Sequence, residues 1–561
     1  MRCSFGRQPL VALLGLAVAL AACGGGGPAG SSSDQPKPVG TYGALVKLFE
    51  EWREFESPPL ANGVPDYSSA SMSAQRDGLR RFQSRLAAMD VSAWPVAQQI
   101  DYRLVQAEMN GLEFDHRVRR PWSRNPAFYV MIFPERSDVP AHEGPVSHGW
   151  IDLWTYEYPL SAASAADLAA RLRTVPTMLA QARSNLTEDA RDLWRGGIRA
   201  MAGQAADLDA LATKVAGTNA DLDAAIKQAR AATDEFRAWL ESQLPSKKGP
   251  SGVGRDNYTW YIRNVHLMPY TWEQEVTMME RELARARAAL ALEEQRNRSL
   301  PPLEPISTAA EYDRRFNQSV TAMVTFFDKA GFMTVKPYAA PALQAQLGRF
   351  SPPGPDGRRG FFSEVSYRDP LTLRTHSYHW IELAMMANEP HASPIRRVPS
   401  LYNIFDGRSE GMATGIEEWL MHAGMFDASP RSRELIYVLL AQRAARALGG
   451  LMMHANQFTI DRAVQFASEN TPRGWLPPDG DTVWGEQHLY LQQPGYETSY
   501  LAGKVEIEGL IAEVARARGA SFSLKAFWDE FLAAGVIPVS LIRWELTGKD
   551  DEVPGKLLPE Y

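Results

Sequence analysis

Apolar residues recur at three- and four-residue spacing through most of this chain, the period of a helix buried along one side. Leu45, Leu48, Phe49 and Trp52 form one such stripe, and Leu79, Phe82, Leu86 and Met89 a second. The period continues over 100–114. Residues 160–244 are Ala- and Leu-rich at helical spacing, with Ser164 and Thr187 as expected N-caps. A long amphipathic helix is predicted over 272–297, with Met278, Leu283 and Leu290 inside and arginines and glutamates outside. Helices are expected again over 309–329 and 435–454. Two stretches break the pattern. Residues 125–134, bounded by prolines and dense in aromatics, predict an extended buried segment. Residues 361–367 alternate after a Pro/Gly turn and predict a short strand beside the site. The expected fold is mainly α: a large helical domain of two lobes about a central cleft, with a few short strands.

The N-terminus does not follow the helical pattern. Arg2 and Arg7 precede an apolar run over 10–22. A membrane-spanning helix needs roughly 20 residues, so the run fits a secretory signal better. It ends in Leu20-Ala21-Ala22-Cys23, which resembles the bacterial lipobox, whose cysteine is lipidated and becomes the new N-terminus. The expected organisation is a signal peptide over 1–22, a lipidated flexible tether over 23–40, a helical lobe over 41–245 and a C-terminal lobe over 255–561. The Gly/Pro/Ser-rich stretch 246–254 reads as the linker between the lobes. The implied location is the bacterial cell envelope, with the lipid anchor holding the protein at the periplasmic face of the outer membrane.

Composition narrows the chemistry. Cys3 and Cys23 are the only cysteines, so a mature chain beginning at Cys23 has no disulfide, no thiol nucleophile and no Cys-ligated zinc. A net charge of −7 without a basic stripe speaks against a nucleic-acid partner. The informative region is 375–418. His376, His379 and Glu382 recur every third residue, so on one helix they drift slowly around a side, and Glu410 and Glu417, seven apart, share a helical face. Two imidazoles with a carboxylate are the raw material of a metal-assisted hydrolase. Gly407-Arg408-Ser409-Glu410-Gly411 also fits the nucleophile-elbow string. No α/β alternation surrounds it, so Ser409 is expected to be an N-cap.

Four motifs in this part of the chain resemble the domain-of-unknown-function 885 (DUF885) family. His379-Trp380-Ile381-Glu382 with L-A-M-M-A-N-E is similar to the second half of its H-E-x-x-P-G-H-x-x-Q motif and the L-A-L-A-N-E that follows. Residues 410–417 are similar to its E-G-W-A-L-Y-A-E, 454–463 to its H-A-x-G-W-T-x-E-Q-A, and 494–504 to its P-G-Q-x-x-S-Y-x-x-G-K. The resemblance implies a bacterial, often lipid-anchored chain with a zincin- or oligopeptidase-like fold acting on peptides or amide-containing small molecules. It also exposes departures. The family's metal-binding His and general-base Glu fall on Leu373 and Arg374, and leucine has no lone pair while arginine cannot act as a base. The family's Gln becomes Glu382, and Leu489 stands where an Arg is expected.

Two readings follow. In one, a rebuilt zinc site uses His376, His379 and Glu410, with Glu382 or Glu417 as general base and Tyr490 or Tyr500 stabilising an oxyanion. In the other, the metal is gone and the cleft binds peptide-like ligands without cutting them. Arg374 and His454 are candidate substrate contacts, with a core role the alternative for His454. Arg374 is further expected to form an ion pair with Glu410 or Glu417.

Overall fold

The helical period is expressed almost throughout. In the computed structural model, which describes residues 40–217 and 219–554, helix follows helix from Tyr42–Glu56 to Val539–Thr547, and the protein is mainly α. Among the described residues, β structure is limited to two pairs of two-residue strands. Leu60–Ala61 runs antiparallel to Val64–Pro65, and Ile132–Phe133 parallel to Ile151–Asp152. The signal peptide, Cys23 and the tether lie outside the described residues. The described residues pack as one compact unit.

The predicted stripes are the buried faces. Leu45, Leu48, Phe49 and Trp52 are all buried in the first helix. The Trp272–Arg296 helix opens with a capping box between Thr271 and Gln274 and buries Trp272, Met279, Leu283, Ala286 and Leu290 at helical spacing. Cap positions differ from expectation. Ser161, whose backbone is still extended, caps Ala162–Leu172, so Ser164 falls inside the first turn. The helix after Thr187 starts only at Arg191, behind Ala190.

The expected strand over 361–367 is a helix, Phe361–Arg368. Phe361 and Val365 are both buried, and their four-residue spacing satisfies a helical period as well as a strand period. The ion pair between Glu364 and Arg368 adds an i,i+4 contact that only the helix can make. In 125–134, Pro126–Tyr129 forms a 3₁₀ turn and only Ile132–Phe133 is strand. The stretch 246–254 is pinned rather than free. Ser251 Oγ accepts from the Asp192 amide (2.9 Å) at the start of the Arg191–Lys214 helix. Gly252 N donates to Asn456 Oδ1 (2.9 Å) and Gly254 N to the His454 carbonyl (2.8 Å).

The Ser432–His454 helix is the axis of the core. It is long and apolar enough to cross a membrane, yet 94% of its apolar window is buried inside the protein. Trp272–Arg296, Asp406–His422 and Tyr496–Arg518 pack around it. The last two meet at glycines. A Cβ on Gly411 would lie 2.4 Å from the carbonyl carbon of Gly503, and one on Gly503 would collide with the carbonyl oxygen of Gly407. Backbone-to-backbone contact at these glycines sets how closely Glu410 on one helix faces Tyr496 on the other.

Candidate active site

The chain breaks where a single helix through 375–382 was expected. Pro370–His376 ends at Ser377, and Tyr378–Asn388 begins at once. His376 is the last residue of one helix and His379 lies in the first turn of the next. The break brings the two imidazoles edge to face, with ring centroids 5.0 Å apart. Glu410, from the Asp406–His422 helix, completes the group. His379 Nε2 is 3.2 Å from Glu410 Oε2, and His376 Nε2 is 3.9 Å from the same oxygen. One ligand atom from each residue lies within 4.8 Å of the others, and among the described residues no other set of three His, Cys, Asp or Glu side chains does so. Ligands of a tetrahedral zinc with bonds near 2.0–2.1 Å sit roughly 3.3 Å apart. Two imidazoles and a carboxylate at these separations therefore fit a zinc ion.

The electrostatics tie the group together. Burial would raise the Glu410 carboxyl, but the charge and hydrogen bond of His379, with His376 and the Tyr496 hydroxyl, hold it down at about 2. Burial would lower the His379 imidazole, and the Glu410 carboxylate instead lifts it to about 9. His379 and Glu410 are thus an imidazolium–carboxylate pair when nothing lies between them. His376 is held from behind. Its Nδ1 is 3.1 Å from Glu417 Oε1 and 3.2 Å from Arg443 Nη2. Donation from Nδ1 to Glu417 leaves the Nε2 lone pair facing the group, the arrangement found behind metal-binding histidines. Acceptance from Arg443 would put the proton on Nε2 instead.

Several residues chosen from the sequence are placed elsewhere or occupied. Glu417 is buried and bound by both terminal nitrogens of Arg443 at 2.7 Å, so it orients His376 and is not free as a base. Glu382 is sealed by an ion pair with Arg408 and a hydrogen bond from Ser409 Oγ. Ser409 itself sits inside the Asp406–His422 helix and is not an N-cap. Arg374 forms no ion pair with Glu410 or Glu417. Two residues before His376 on a helix, it points to the opposite side. There it donates to Ser319 Oγ (3.3 Å) and the Gln346 carbonyl (3.4 Å). Arg443 takes the expected role. His454 is fully buried, with its Nε2 3.0 Å from the Tyr490 carbonyl and its ring against Tyr258, which is a core position and not a substrate contact. Tyr500 does lie beside the group, its ring nearly parallel to His376 at 6.4 Å. Tyr490 stands one ring further out, 6.0 Å from Tyr496.

Two participants were not singled out from the sequence. Tyr496 Oη lies 2.7 Å from Glu410 Oε1 and 2.5 Å from Glu143 Oε1. A single hydroxyl proton cannot serve both carboxyls, so the second contact is satisfied when Glu143 carries a proton. Burial pushes the Glu143 carboxyl up to about 7, with Asp138 and Glu410 adding to the effect and the Tyr496 hydrogen bond opposing it. Glu143 rides on the irregular segment 134–150. The segment is fixed by the Gly144 amide to Gln493 Oε1 (2.5 Å) and by Asn403 Nδ2 to the His142 carbonyl (3.0 Å). No periodicity or motif marks Glu143. Tyr496 lies in the Pro494–Lys504 motif, where Tyr500 drew the attention.

Comparison with known proteins places the chain in a family. A model described as "Bacterial protein of unknown function (DUF885)" matches residues 56–546. The chain belongs to the DUF885 family. The DUF885 match takes in both the segment carrying Glu143 and the helices carrying His376, His379, Glu410 and Tyr496. No curated relative matches the sequence. Two solved structures share the DUF885 chain's fold. One, from Shewanella oneidensis, is described as a "putative lipoprotein of unknown function" and superposes with a TM-score of 0.65 at 16% identity, covering 90% of this chain and 99% of its own. The other, described as the "putative lipoprotein from Colwellia psychrerythraea", gives 0.64 at 14% identity, covering 91% and 99%. At such identities the likeness establishes the fold alone.

Proposed function

We propose that this DUF885 protein is a metal-dependent hydrolase of peptide or amide bonds, anchored in the bacterial envelope through Cys23. The carrying observation is the convergence of His376, His379 and Glu410 on one point, with Glu143 and Tyr496 joined to it. The anchor reading is supported by the basic residues, apolar run and Leu20-Ala21-Ala22-Cys23 sequence at the N-terminus, and by the description of both structural neighbours as lipoproteins.

His376, His379 and Glu410 would hold the metal. A bound zinc ion supplies Lewis acidity and brings the pKa of a bound water toward 7. Glu417 keeps the His376 ring in place through Nδ1, and Arg443 balances the Glu417 charge. Glu143 takes the place of the missing family base. Its carboxyl, poised near neutrality, accepts a proton from water and returns it to the leaving nitrogen. Burial keeps the Tyr500 phenol protonated, and its position beside His376 suits it to donate to an oxyanion.

The test is hydrolysis of a panel of short peptides and amides by zinc-loaded protein. Hydrolysis is expected to disappear with a chelator and in His379→Ala, and to fall roughly 100- to 10,000-fold in Glu143→Gln. Retained hydrolysis in His379→Ala would overturn the proposal. Absence of hydrolysis from protein that binds zinc would leave only the ligand-binding reading.

A further inference from the structure

A cavity of about 480 Å³ lies against the candidate site without containing it. None of His376, His379 and Glu410 lines it, although the two spaces share a wall. His142 and Gly144 face the cavity, while Glu143 between them bonds to Tyr496. Gln493 also lines the cavity and holds the Gly144 amide. Contacts from the cavity to Glu410 run through Gly144, Glu143 and Tyr496, and through Gln493, whose carbonyl accepts from the Tyr496 amide at 3.2 Å.

The walls state what the cavity accepts. Tyr67, Trp122, Phe128, Trp150 and Trp154 present aromatic surface. Apart from Arg136, its charged and imidazole groups are already matched to one another or to a neighbour. Glu56 Oε2 is 2.9 Å from His148 Nε2 and its other oxygen accepts from Tyr402 Oη at 3.0 Å. Asp115 holds Arg119 at 2.5 Å, and His142 Nε2 is 3.2 Å from Asp152 Oδ1. Arg53 is held by Glu108 at 2.9 Å. Arg136 alone lies over a ring, that of Trp154, with no carboxylate within ion-pair distance among the described residues, and it is exposed. A charged group entering the interior would lose its water and gain no counter-ion there, which is costly. A neutral ring gains burial and offset or edge-on contacts with the wall aromatics. The volume lies in the range of small-ligand sites.

From this we infer that the cavity is a binding site for a neutral aromatic group, separated from the His376/His379/Glu410 site by the wall that carries Glu143. The ligand chemistry follows from the walls alone and does not rest on the hydrolase reading.

The test separates the two. Binding of the N-acetyl amides of phenylalanine, glycine, glutamate and lysine is measured by calorimetry on the full chain carrying His379→Ala, which removes catalysis and leaves the cavity untouched. The phenylalanine probe is expected to bind at least ten-fold more tightly than the other three. Trp154→Ala, at a position already 40% exposed and so of little risk to folding, is expected to weaken it several-fold, as is Trp150→Ala. Equal binding of the phenylalanine and glycine probes, preference for a charged probe, or indifference to both tryptophan variants would overturn the inference. Selective phenylalanine binding in a protein that hydrolyses nothing after zinc loading would sink the hydrolase reading and leave the aromatic site standing.

Discussion

Two sets of buried carboxylates sit within one helix of each other and are treated in opposite ways. Glu382 and Glu417 each have an arginine of their own, Arg408 and Arg443, which fixes their charge. Glu410 has no arginine. Its partners are His376, His379 and Tyr496, groups that can give up or exchange a proton. Among the described residues, Glu143 has hydrogen bonds only with Tyr496 and Ser137. A carboxylate matched to a guanidinium is architecture, because arginine stays protonated at any working pH. A carboxylate matched to imidazoles and phenols keeps its chemistry available. Sequence proximity to the histidines therefore misleads: Glu382 and Glu417 are the nearer in their motifs, and Glu143, 353 residues from Tyr496, is the one left free.

The largest effect should come from breaking a sealed pair. Arg408→Met removes the only cation at Glu382 and strands a buried charge, so it is expected to destabilise the fold by about 3–5 kcal/mol in a denaturant titration. Combining it with Glu382→Leu should restore much of the loss, since no charge then remains to be satisfied. A single variant as stable as the parent would show that Glu382 is not held as described.

Next in size is the helix contact that sets Glu410 against Tyr496. Gly503→Ala drives a methyl group into the Gly407 carbonyl and is expected to cost roughly 3 kcal/mol. Glu143→Gln sharpens the contrast from the other side. Removing a carboxyl that is half-protonated near neutrality should change stability by less than about 1 kcal/mol while removing the base. Loss of stability as large as that in Arg408→Met would place Glu143 with the architectural set.

A smaller effect per pH unit comes from a buried carboxyl outside the site that, like Glu143, has no cation beside it. Burial pushes Glu275 up to about 7, and its Oε2 accepts from Tyr258 Oη at 2.9 Å. The folded protein therefore holds a proton that the unfolded chain, with an ordinary carboxyl near 4.5, releases. This contribution to stability is complete below about 4.5 and is lost as the pH rises through about 7, with a slope of at most about 1.4 kcal/mol per pH unit. Glu275→Gln should flatten that part of the stability–pH curve, and an unchanged curve would contradict the assignment.

The helical stripes were legible because burial on one face imposes a period that the residues must carry. The His376, His379 and Glu410 grouping was legible because His379 and Glu410 lie in motifs and His376 stands three residues before His379. Its geometry was not: three-residue spacing suggested one helix, whereas Ser377 breaks it and the two rings meet across the break. Arg374 was assigned a partner on charge alone, and its position two residues before His376 sends it to the other side. Glu143 lay beyond sequence reasoning because nothing local distinguishes it. Its meaning comes from a contact made by an irregular segment with a distant helix.

The central claim is that His376, His379 and Glu410 form one metal site. Its most direct test is zinc stoichiometry by elemental analysis after loading and gel filtration, for the parent, His376→Ala, His379→Ala and Glu410→Gln, with Arg374→Ala as the control outside the site. The account predicts about one zinc per chain in the parent and in Arg374→Ala, and its loss in the other three. A parent without zinc, or zinc retained in His379→Ala, would contradict it.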